Sequence, residues 1–90
     1  MVRSPWSGAV VLRPPMSHDP LDAFAANLVR RRRALGLTQD AVADAAMMDQ
    51  SQYSRIERAR VDPSIRTLTR VARALRTTPS ELLEGVRSSP

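Results

Sequence analysis

The chain has 90 residues, of which 42% are hydrophobic, enough for one compact domain and too few for two. All fourteen basic residues are Arg and there are nine acidic ones, so the net charge of +5 suits a polyanionic partner without proving one. Cys is absent and His18 stands alone, which excludes a disulfide framework and a zinc site.

Residues 1–18 carry Pro5, Pro14 and Pro15, with Trp6 and the short β-favouring run Ala9–Leu12. No helical period occurs there, so an extended arm or a lone strand is expected. The same run is too short for a membrane span or a signal-peptide core, and a cytoplasmic protein, nucleoid-associated when bound to DNA, is expected.

Helical signals begin at Asp19. Asp19 is an N-cap, Pro20 suits the first helical position and Asp22 makes the first turn acidic. Phe24, Leu28 and Leu35 mark the apolar face, and Gly36 supplies a left-handed stop. Thr38 caps a second helix with Val42, Ala43 and Ala46 facing inward, and Met47 and Met48 form a connector. Asp49, with Gln52 three residues on, opens a third helix that buries Tyr53 and Ile56. Ser64 caps a fourth, carrying Ile65, Leu68, Val71, Ala72 and Leu75. Thr78-Pro79-Ser80-Glu81 reads as a capping box for a fifth, with Leu82 and Leu83, which Gly85 ends. The fold class is therefore all-α: a compact five-helix domain over 19–86, preceded by the arm 1–18 and followed by a frayed end, 87–90.

The stretch Leu37 to Ser64, LTQDAVADAAMMDQSQYSRIERARVDPS, resembles without a gap the helix-turn-helix core of the Cro/C1-type (XRE) regulators, the family of the phage lambda repressor. The landmarks are Leu37-Thr38-Gln39, Ala43, Gln50-Ser51, Ser54-Arg55-Ile56-Glu57-Arg58 and Pro63-Ser64. The likeness runs back to Phe24 and on to Leu83, about two thirds of the chain. Two positions depart from the family pattern. Met47 stands where Gly is usual in the turn, implying strain or an altered turn. Arg31 replaces an apolar residue of the first helix, and its stem is expected to cover apolar surface while its head reaches solvent.

A recognition helix of this kind, here 50–59, presents its first turns to the major groove. The resemblance assigns base contacts to Gln50, Ser51 and Arg55, since Gln reads adenine bidentately and Arg reads guanine at O6 and N7. Backbone contacts are expected from Gln39, Ser54, Arg58, Arg60 and Arg66. Gln39 sits at a helix N-terminus, which favours phosphate, and in the family it braces the first recognition residue. Glu57 is expected to pair with Arg32 as a structural ion pair. Tyr53 is expected in the core, with its hydroxyl emerging toward a phosphate. The run Arg30–Arg33 looks like a nucleic-acid patch, but four consecutive helical residues cannot share one face. Arg66, Arg70 and Arg73 form a stripe that is otherwise an ordinary solvated face.

No paired carboxylates, nucleophile–His pair or Gly-rich phosphate loop supports catalysis, and no cofactor or metal is expected. The leading expectation is a dimeric regulator, a repressor, on a palindromic operator of double-stranded DNA, with half-sites about 34 Å apart. With the chain ending soon after the fifth helix, no effector domain is expected. The alternative is a DNA-binding antitoxin whose arm or fifth helix holds a toxin or co-regulator. An interaction module without DNA binding is disfavoured by Gln39, Gln50, Ser51 and Arg55. For the arm, three readings stand: a strand pairing across the dimer axis, a tail placing Arg3 and Arg13 in the minor groove, or residues upstream of a true start at Met16. Leu82, Leu83 and Val86 offer a second dimer surface.

Overall fold

The structure is a computed structural model that describes residues 19–87; the readings of 1–18 and of the last three residues lie outside them. The described residues form five helices and no strand: α1 (Pro20–Ala34), α2 (Gln39–Ala45), α3 (Gln50–Glu57), α4 (Ile65–Ala74) and α5 (Pro79–Leu82). None of these helices is long and apolar enough to cross a membrane.

Each start has a local cause. Asp19, Thr38, Ser64 and Thr78 accept backbone N–H bonds from the first turns of α1, α2, α4 and α5. At α3, the Asp49 N–H donates to Gln52 Oε1 at 3.3 Å. The expected box at α5 is only half formed, because the Glu81 carboxylate takes the Thr77 hydroxyl instead.

Each end also follows one device. The residue after the C-cap is left-handed in α1 to α4, and in α5 the residue two past it is: Gly36, Met47, Ala59, Arg76 and Gly85 have φ of 70°, 60°, 58°, 57° and 78°. The next N–H then reaches back five residues at four of them: Leu37 to Arg32 (3.1 Å), Met48 to Ala43 (3.0 Å), Arg60 to Arg55 (2.9 Å) and Thr77 to Ala72 (2.9 Å). Three of the five stops therefore use a side chain where Gly is easiest.

The core gathers Phe24 and Leu28 of α1, Val42 and Ala43 of α2, Tyr53 and Ile56 of α3, Leu68, Val71, Ala72 and Leu75 at α4, and Leu82 of α5. α2 lies between α3 and α4, while α1 packs on α3 and α5. Ile65 does not join the core and is 77% exposed. It occupies the first position of α4, and burial on this helix begins at Leu68.

Arg31 does more than cover apolar surface. It is half-buried, and its guanidinium is held by the fold: Nε donates to the Leu75 carbonyl at 2.9 Å and one terminal nitrogen to the Arg76 carbonyl at 2.8 Å. A cation on the open carbonyls at the end of α4 satisfies them and opposes the helix dipole. A turn earlier, Asn27 donates to the carbonyls of Leu82 (2.8 Å) and Glu84 (3.0 Å), tying α5 to α1. Arg30 in turn donates to the Asn27 side-chain oxygen.

Candidate nucleic-acid interface

Helix α3 is short, and its orientation is set by what it buries. Tyr53, Ile56 and Glu57 point inward, at 0%, 4% and 9% exposure. At 100° per residue, Gln50, Ser54, Arg58, Ser51 and Arg55 then fall within about 140° of arc. All of these are exposed except half-buried Ser54. The arc carries amides, hydroxyls and guanidinium groups, and no carboxylate.

Behind the arc runs a continuous hydrogen-bonded chain drawn from three helices. Arg32 of α1 grips Glu57 of α3 in a fork, Nε to Oε2 at 2.6 Å and a terminal nitrogen to Oε1 at 3.1 Å. Its other terminal nitrogen donates to the Leu37 carbonyl at 3.0 Å, at the turn into α2. Gln39, the first residue of α2, donates Nε2 to Glu57 Oε1 at 2.8 Å. Gln50, the first residue of α3, donates Nε2 to Gln39 Oε1 at 3.1 Å. The pair Arg32–Glu57 and the pair Gln39–Gln50 are thus one network, a link that no local sequence signal carries.

Burial alone would push the Glu57 carboxyl up. Hydrogen bonds from Arg32 and Gln39, with the Tyr53 phenol close by, outweigh it and hold the group below the usual carboxylate value. The same contact raises Arg32. Tyr53 belongs to the core, but its hydroxyl does not emerge: it is buried and makes no hydrogen bond of ordinary geometry. Burial first, and the Glu57 carboxylate second, raise its pKa.

Of the Arg run, Arg30, Arg31 and Arg32 are engaged within the fold, and Arg33 is exposed. The sequence offered two hints. Asn27 is a poor helix former in mid-helix, and Arg31 stands where the pattern wants an apolar side chain. Arg58 caps the end of α3, and Arg60, in the following loop, and Arg66, in the first turn of α4, are exposed beyond it. Arg70 differs from its stripe. It is half-buried with its Nε unpartnered, beside Arg55, Asp62 and Thr67 in the groove between α3 and α4. Arg73 is exposed. Among the described residues no group of His, Asp or Glu is placed to hold a metal ion.

The helix-turn-helix family (HTH_3) matches residues 28–82. Among solved structures, the chain is similar to the restriction-modification controller protein C.AhdI from Aeromonas hydrophila: 32% identity over 69% of this chain and 94% of that one, TM-score 0.67. It is also similar to the clp gene regulator ClgR from C. glutamicum, with 27% identity over 79% and 88% of the two chains and TM-score 0.69. A hypothetical transcription factor, NHTF from Neisseria, gives 25% identity over 80% and 83%, with TM-score 0.72. A comparison with curated proteins returned no match.

Proposed function

The chain belongs to the helix-turn-helix family of Cro/C1 (XRE) type, whose members are DNA-binding regulators and not enzymes, and from that premise we propose that it represses transcription as a dimer on a palindromic operator. The observation that carries the reading is the α3 arc: Gln50, Ser51 and Arg55 stand outward on a helix held from behind by the Arg32–Glu57–Gln39 chain. In this reading Gln50 and Arg55 supply most of the sequence discrimination and Ser51 a smaller part. Ser54, Arg58, Arg60 and Arg66 contact phosphate, while Gln39 spans both roles. The likeness to C.AhdI, a restriction-modification controller protein 94% of whose chain is covered, supports the regulatory reading.

A single recognition helix reads too few base pairs to hold a specific site, so two copies are needed, with half-sites one helical turn apart, about 34 Å. Of the fifth-helix residues, Leu82 is 3% exposed and committed to the core. Leu83, 40% exposed, is the side chain left to meet a second copy, with half-buried Val86 beside it.

The test is selection from a random duplex pool with full-length protein at physiological salt. One short palindrome with that spacing is expected. Recovery of random, salt-sensitive duplexes alone would overturn sequence-specific regulation.

A further inference from the structure

Glu57 has a consequence beyond the ion pair it makes. A carboxylate only accepts hydrogen bonds, so the Gln39 amide meeting Glu57 Oε1 must turn its nitrogen inward, at 2.8 Å. Its oxygen therefore faces Gln50 and must be met by a donor, which is the Gln50 Nε2 at 3.1 Å. One N–H of Gln50 is spent on this bond. What remains for a partner is one N–H and the side-chain oxygen, a donor beside an acceptor.

We infer that Glu57, acting through Gln39, sets the polarity of the Gln50 amide and so makes this position read adenine and reject guanine. The inference rests on the function proposed above. Adenine offers an acceptor at N7 and a donor at N6, the complement of what Gln50 has left. Guanine offers two acceptors, N7 and O6, and a Gln50 with one N–H committed would set its oxygen against one of them. A flip of the Gln50 amide to offer two donors would set its oxygen against the Gln39 oxygen, and Glu57 forbids Gln39 to flip in response. Glu57 and Gln39 are positioning residues, buried and half-buried, while exposed Gln50 makes the contact.

The relay makes an unusual prediction for Glu57→Ala. The acceptor that held the Gln39 nitrogen inward is gone and Arg32 remains behind it as a donor, so Gln39 is free to turn its oxygen inward and its nitrogen outward. Gln50 can then answer with its oxygen, leaving both N–H groups for the base, the pattern guanine matches.

The experiment starts from the selected site. The base pair facing Gln50 is the one whose identity ceases to matter in Gln50→Ala. Full-length protein, Glu57→Ala and Gln39→Ala are then titrated on probes carrying adenine, guanine or 7-deazaadenine there. The unsubstituted protein is expected to prefer adenine over guanine by about tenfold, and to lose most of that on removal of N7. Glu57→Ala should bring the ratio toward parity. Gln39→Ala, which leaves Arg32–Glu57 intact, should narrow it by freeing the second N–H. An unchanged ratio in both variants, even with weaker overall binding, would overturn the relay and leave Glu57 a merely structural residue. If Glu57→Ala fails to melt cooperatively, the Gln39→Ala ratio decides alone. Failure of the pool to yield any site would sink the proposed function, and the relay with it.

Discussion

At Glu57 two effects of opposite sign meet on one carboxylate. Burial favours its neutral form, and the donors from Arg32 and Gln39 favour the ion; the donors win, so the folded value lies below the ordinary 4.5. A lowered folded pKa contributes stability that is complete above the unfolded value and is lost as pH falls through the folded one. The stability gap between the unsubstituted protein and Glu57→Gln, measured by denaturant titration, should therefore be constant near neutrality and shrink as pH drops through and below 4.5. A gap indifferent to acid would mean that folding does not lower the carboxyl's pKa. On the outer face the expected effects differ in kind. Arg55→Ala should cost about 1–3 kcal/mol on the selected site and far less on random DNA, in paired binding titrations. Equal losses would remove it from base reading. Arg58→Ala should weaken both equally and reduce the salt slope by about one, and an unaltered slope would deny it a phosphate.

Between elements, the helix ends are where this chain departs from the easiest chemistry. Met47 holds φ at 60° and is 76% exposed, so its side chain adds little packing to offset the backbone cost. Met47→Gly should raise stability by about 0.5–1 kcal/mol, the left-handed penalty less the extra freedom Gly adds to the unfolded chain. Thermal melting checks this, and a lower Tm would show that the methionine packs more than its exposure suggests. Arg31 works in the opposite sense, joining α1 to the carbonyl end of α4 with two charged hydrogen bonds. Arg31→Leu restores the apolar residue usual at this position yet should cost about 1–2 kcal/mol, because it strips donors from two carbonyls. A neutral or stabilising result would mean water serves those carbonyls equally well.

For the whole molecule, five short helices leave little area for self-association within the described residues. If Leu83 meets a second copy, Leu83→Asp should move the protein toward monomer in sedimentation at micromolar concentration. The same variant should lower operator affinity while leaving the melting curve of the monomer nearly unchanged, since Leu83 is 40% exposed. Unaltered sedimentation would move the dimer contact away from α5.

How much of this was legible beforehand differs by range. Helix starts were readable at Asp19, Thr38, Asp49, Ser64 and Thr78 because a cap acts within three residues of itself. The core stripes of α1 to α4 were readable because a periodic apolar face needs no knowledge of its partner. Ile65 lies on α4 as expected but stays exposed, because the period marks a face and only the neighbouring helices decide how far along it burial extends. The left-handed stops at Ala59 and Arg76 were hidden, since neither residue type signals positive φ, and the tight return of the chain imposes it. The longest-range contacts were least visible. Arg31 reaches carbonyls 44 and 45 residues away, and Asn27 reaches 55 and 57. By itself the sequence determined the five helices of the described residues and which residues line the outer arc of α3, both properties of local spacing. Only the tertiary structure decided that Arg32, Glu57, Gln39 and Gln50 form a single chain, because a hydrogen bond between helices depends on a meeting in space that no spacing along the chain encodes.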